Sequence, residues 1–166
     1  MATGNVSSTN ITPWTSLASI TTTSGTSATL ITGLAGYGKL MVVWNNVQFT
    51  TNNTATIRFN GVSTNYASQT GGLGGGGGTA SNTAIVIDGS NYGVQSRDGY
   101  IIINDVLSSG PKTVQGLGVA ASSGSNSGPI SGVFNNTNPI TSITIQGTST
   151  TDAFTAGTVT LYGIAA

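Results

Sequence analysis

The sequence predicts an all-β fold, an antiparallel sandwich or a barrel, built from eight or nine short strands. Three observations carry this. No segment holds apolar residues at a 3.6-residue period, whereas runs that alternate apolar and polar residues recur along the chain. Gly, Asn, Ser and Pro bound those runs, and 25 of the 166 residues are glycine. Hydrophobic residues make up 37% and charged ones 5%, which is enough apolar material for a core under a neutral Thr, Ser and Asn surface.

Residues 1–13 are polar and carry no pattern, so they are expected to form an N-terminal arm. Residues 14–166 are expected to form one sandwich domain, long enough to fold without staples, and the chain has no Cys. The first 20 residues have neither a positively charged start nor a continuous apolar run, so no secretory signal is expected. No stretch approaches the ~18 apolar residues of a membrane helix.

Residues 17–23 give the weakest strand signal, and residues 28–34 a second strand. The longest run is 39–51. Met41, Val43, Val47 and Phe49 share one face, and Leu40, Val42 and Trp44 share the other, which turns polar at Asn46 and Gln48. Half of this strand is therefore expected to be covered on both sides. The clearest alternation is in residues 54–60. Ala55, Ile57 and Phe59 point to the core, and Thr54, Thr56, Arg58 and Asn60 to water. Further strands are expected over 84–88, 100–106, 113–119, 140–146 and 157–164. Residues 71–80 (GGLGGGGGTA), 120–132 and 135–139 read as loops.

The ionisable groups are Lys39, Arg58, Arg97 and Lys112 against Asp88, Asp98, Asp105 and Asp152, with no Glu and no His. That removes the Ser-His-Asp triad, the Cys-His pair, imidazole zinc sites and redox thiols. Four scattered cations cannot neutralise a run of phosphates or anchor a helix electrostatically, so neither nucleic acid nor membrane is an expected partner. Asp88 and Asp98 stand in turn-like sequences, Asp105 opposite the face of Tyr100 and Ile102, and Asp152 in a polar loop. A hydrolase would need two of these carboxylates brought together by folding. A calcium site from Asp and Asn oxygens is the remaining metal chemistry, and no EF-hand spacing supports it. No catalytic residue, metal or cofactor is expected. The glycine tract lacks the GK[ST] and following helix of a phosphate loop. Trp14 and Tyr92 are the aromatics best suited to stack on sugars, with a core or interface role as the alternative. Asn5, Asn10, Asn52 and Asn135 head Asn-X-Ser/Thr triplets, as chance provides in so Asn- and Thr-rich a chain.

Several motifs remain. Tyr37-Gly38-Lys39-Leu40 opens the long strand, and Ile57-Arg58-Phe59-Asn60-Gly61 is followed by Asn65-Tyr66. Ile140-Thr141-Ser142-Ile143-Thr144 precedes a closing Phe154-Thr155-Ala156-Gly157-Thr158-Val159-Thr160-Leu161-Tyr162-Gly163-Ile164. This order, from Trp14 to Ile164, resembles small β-sandwich virion proteins of tailed bacteriophages. The resemblance implies a jelly-roll-like sandwich on the virion surface, usually a homotrimer. Head decoration or cement proteins, head fibres and tail-fibre modules all carry such domains. The arm is short, so no fibre shaft is expected. The expectation is therefore a decoration protein on the outer surface of the head, assembled in the host cytoplasm and bridging major capsid subunits. Val6, Ile11 and Trp14, the apolar residues of the polar N-terminal stretch, are the candidate capsid contacts. The alternative is a short tail-fibre, spike or head-fibre protein that binds host surface glycans.

Overall fold

Each of the nine expected runs overlaps a strand, several of them, such as those at 28–34, 84–88 and 140–146, only in part, and three further strands form beside them. The computed structural model describes residues 13–30, 33–51, 54–71, 79–88, 95–121, 128–149 and 151–166. Among them are twelve strands: β1 (Thr15–Thr21), β2 (Ser27–Leu30), β3 (Tyr37–Phe49), β4 (Ala55–Phe59), β5 (Tyr66–Thr70), β6 (Ala80–Ser81), β7 (Ile85–Val86), β8 (Arg97–Ile103), β9 (Lys112–Ala120), β10 (Gly128–Phe134), β11 (Ile143–Gly147) and β12 (Phe154–Ala165). All pairings are antiparallel. One sheet has eight strands in the order β1-β12-β3-β8-β9-β10-β5-β6, and the other has four in the order β2-β11-β4-β7.

The pairing is nested. β1 pairs β12, β2 pairs β11, β3 pairs β8 and β4 pairs β7. The first four strands thus meet later ones in reverse order, and β9, β10, β5 and β6 extend the large sheet beyond β8. The inner faces of the two sheets share one core. Leu30, Ile57, Phe59, Ile143 and Ile145 come from the small sheet, against Leu40, Val42, Trp44, Ile101, Ile103 and Leu161 from the large one. The antiparallel sandwich is thus the form taken, and Ile57 and Phe59 are core as expected, both at 0% exposure.

The long strand differs from expectation. Leu40, Val42 and Trp44 face the core, and so do Val47 and Phe49. Met41 and Val43 lie half-buried on the outside. The parity changes because β3 is bulged: its register against β8 shifts between Trp44 and Val47, and Asn46 has φ 51°. An extra residue in one strand turns every later side chain to the other face. The freed N–H of Asn46 donates to Oδ1 of Asp98, 2.9 Å away on β8. On the other flank Gly157 has φ 115°, and a Cβ there would lie 2.6 Å from Val47 Cα.

Three other expectations are corrected. β10 takes residues 128–132 of the expected 120–132 loop, of which residues 122–127 lie outside the described residues: Gly128 and Gly132 are there for closeness, since a Cβ would lie 1.7 Å from Gly71 O at the first and 2.8 Å from Ile85 Cδ1 at the second. The outer side of β4 is not uniformly wet, because Thr56 is buried and its hydroxyl donates to Gln146 O at 3.2 Å. Asp98 lies within β8, not in a turn. Of the 71–80 loop, residues 72–78 lie outside the described residues, and Ala80 begins β6.

Candidate functional site

The few ionisable side chains mark where chemistry would concentrate, and half of them are inside. Asp88, Arg97, Lys112 and Asp152 are buried, Lys39 and Asp105 are exposed, and Arg58 and Asp98 are intermediate. Asp88 follows β7 at the end of the small sheet. Its Oδ1 accepts the Ala55 N–H at 2.8 Å, and its Oδ2 accepts Nε of Arg97 from the large sheet. The Arg97 guanidinium carbon lies 5.1 Å from the centre of the Phe49 ring, which stacks on Phe154. Burial pushes the Asp88 carboxyl up to about 6, and the Arg97 charge and the Ala55 N–H offset only part of that.

Lys112 closes the turn between β8 and β9. Its ammonium donates to the carbonyls of Ser108, Gly110 and Asn136 at 2.7, 3.0 and 2.6 Å, and burial holds it below the ordinary lysine value. Asp152 accepts from the Thr51 hydroxyl. Asp98 accepts from Asn46 N–H and from Ser96 Oγ. Asp105 has φ 59° in the turn after β8, where its carbonyl accepts from Ser108 N at 3.0 Å; it does not continue the strand. The four carboxylates therefore serve four separate places in the fold. Among the described residues no group of three or more metal-ligating side chains gathers.

Of the candidate contacts, Val6 and Ile11 lie outside the described residues, as do Tyr92, Asn5, Asn10 and Asn52. Trp14 is half-buried just ahead of β1, and Asn135 is exposed after β10.

The sequence reading missed the outer face of the large sheet. Its inward-facing positions on β9 include Gly116 and Gly118, so the bulk of that strand stands outside, in Leu117 and Val119. Tyr100, Leu117 and Val119 are 41%, 38% and 39% exposed. Register sets Val43 against Tyr100, Tyr100 against Leu117, and Leu117 against Pro129. One row away, Tyr162, Met41 and Ile102 continue the apolar band. Apolar residues left over on the wrong side of a strand's core face are the sequence signal for such a band. Beyond it, over β9, β10, β5 and β6, lies an open concavity of about 490 Å³ lined by Ala67, Gln69, Ala80, Gln115, Ser131 and Val133 among others. Its polar groups are neutral amides and hydroxyls.

Compared with known proteins, the chain matches no family model, no curated protein and no solved structure.

Proposed function

We propose that this chain is a structural protein of a virion surface, a decoration protein that binds an assembled phage head through major capsid subunits. The observation that carries the proposal is the nested pairing of β1 with β12, β2 with β11, β3 with β8 and β4 with β7. Nesting of this kind is what a long antiparallel ribbon rolled over on itself, as in a jelly roll, would give. It supports the resemblance to jelly-roll virion proteins. The use of buried charges for the fold agrees with a scaffold role, as does the sparse surface charge. Attachment with so few charges depends little on ionic strength, and many copies on a lattice hold by avidity. A cryo-EM map of the particle that carries the chain tests this. Density for the sandwich repeated over the head lattice is the expected result, and a head free of it overturns the proposal.

A second reading, a short fibre or spike protein that binds host glycans, is favoured by the neutral concavity of Gln69, Gln115 and Ser131. Amide and hydroxyl groups over an apolar floor suit sugar recognition. Glycan-array binding that disappears in Gln69→Ala and Gln115→Ala is its signature, and a blank array counts against it.

A further inference from the structure

We infer that the outer face of the eight-stranded sheet is a self-association surface, and that two copies meet there face to face about a two-fold axis, with their β3 and β8 strands running in opposite directions. The face is apolar at its centre, where Val43, Tyr100, Leu117 and Ile102 stand on the three neighbouring strands β3, β8 and β9. Tyr100 and Leu117, which oppose one another, are among the most exposed large hydrophobic side chains of the described residues. A band of this kind on a sheet face marks a contact surface.

Charge identifies the occupant. The band holds no charged side chain and is flanked by two, one at each end. Lys39 stands on β3 beside Ile164, at the end where the strand begins. Asp98 stands on β8 opposite Val119, at the other end. Lys39, Met41 and Val43 share a side of β3, and Asp98, Tyr100 and Ile102 share a side of β8, so both charges border the same face. Counting residues along the paired strands, the two lie about 20 Å apart. Asp105 sits past Lys39, in the turn beyond β8. A second copy turned end for end lays its Asp98 over Lys39 and its Lys39 over Asp98. The surface is thus self-complementary in both apolar area and charge, as an isologous contact requires. The chain's formal net charge of zero adds no repulsion between copies. This pairing is two-fold, whereas the resemblance implies a trimer, and a mass measurement separates them.

The experiment uses the full chain in sedimentation equilibrium over a range of concentrations, with carbodiimide cross-linking read by peptide mass spectrometry. The expected results are a dimer, and a cross-link between Lys39 and Asp98. Within one copy that pair is too far apart for a zero-length link, so the product reports the second copy. Leu117→Lys and Tyr100→Lys change exposed positions. Each is expected to weaken the dimer about tenfold or more while leaving the circular-dichroism melt in place at concentrations where wild type and variant are both monomeric. A monomer at every concentration overturns the inference. So does an oligomer indifferent to both substitutions, a trimer, or a Lys39 cross-link confined to Asp105.

Discussion

Nε of Arg97 donates to Oδ2 of Asp88 inside the core, with side-chain exposures of 1% and 2%, and the pair ties the first residue of β8 to the end of the small sheet. The same carboxylate holds the Ala55 N–H at 2.8 Å. Taking both ions out of water costs several kcal/mol each, and mutual attraction need not repay it. The Asp88 carboxyl shows which effect wins: burial raises it to about 6 despite the adjacent guanidinium.

That balance sets a pH dependence. The folded protein holds the Asp88 proton more tightly than the unfolded chain, whose carboxyl titrates near 3.8. The contribution of this group to stability is therefore fully present below about pH 4 and is lost as pH rises through about 6. The two values differ by an amount worth about 2–3 kcal/mol. Urea unfolding of wild type and Asp88→Asn from pH 4 to 7 checks this. The stability difference, wild type minus variant, is expected to fall by that amount across the window, whatever its starting value. Parallel profiles would sink the account.

The small sheet supplies a second prediction. Phe59 is fully buried, 5.5 Å centre to centre from Phe134 in an edge contact. Phe59→Ala is expected to cost about 3–5 kcal/mol, mostly through the cavity it leaves. Thr56 is buried on the opposite side of β4 and loses one hydrogen bond, to Gln146 O. Thr56→Ala is expected to cost about 1 kcal/mol. Denaturant midpoints for the pair give the ratio, and equal costs would contradict the register of β4.

How far the fold was legible depended on whether a residue's local pattern agreed with its place. Ala55, Ile57 and Phe59 alternate and pair regularly with β11, so their core face was readable. The alternation of β3 broke at Asn46, and nothing local distinguishes a bulge from a change of exposed face. The side chain that stabilises the bulge, Asp98, is 52 residues away. Gly128 and Gly132 read as loop residues because glycine serves turns and close backbone approach alike. β5 was missed because its inward side carries Ser68 and Thr70, which are polar. Ser68 Oγ explains why: it donates to Ala84 O at 2.7 Å and accepts from Val86 N at 3.2 Å, serving backbone groups of the short β7 region. The outer band of Tyr100, Leu117 and Val119 was present in the alternation but had no meaning until the core face was known.

The last prediction concerns another polar group that stands in for missing strand. β7 pairs with β4 only at Thr56 and Ile57, so the peptide of Phe59 extends past its end. The Tyr66 hydroxyl reaches across from β5 and accepts the Phe59 N–H at 2.7 Å, while donating to Phe59 O at 3.3 Å. Its ring stacks on Phe134 at 4.7 Å, which fixes the hydroxyl's position. Burial pushes the phenol up to about 12, so it keeps its proton at any working pH. Tyr66→Phe leaves the ring and removes the hydroxyl, stranding a buried N–H. The expected cost is about 1–3 kcal/mol, read from the shift in urea midpoint with an unchanged m-value. Amide exchange at Phe59 should accelerate by more than the global loss accounts for, because the bond that protects it is the one deleted. Unchanged exchange at Phe59 would mean that the hydroxyl is not its partner in solution.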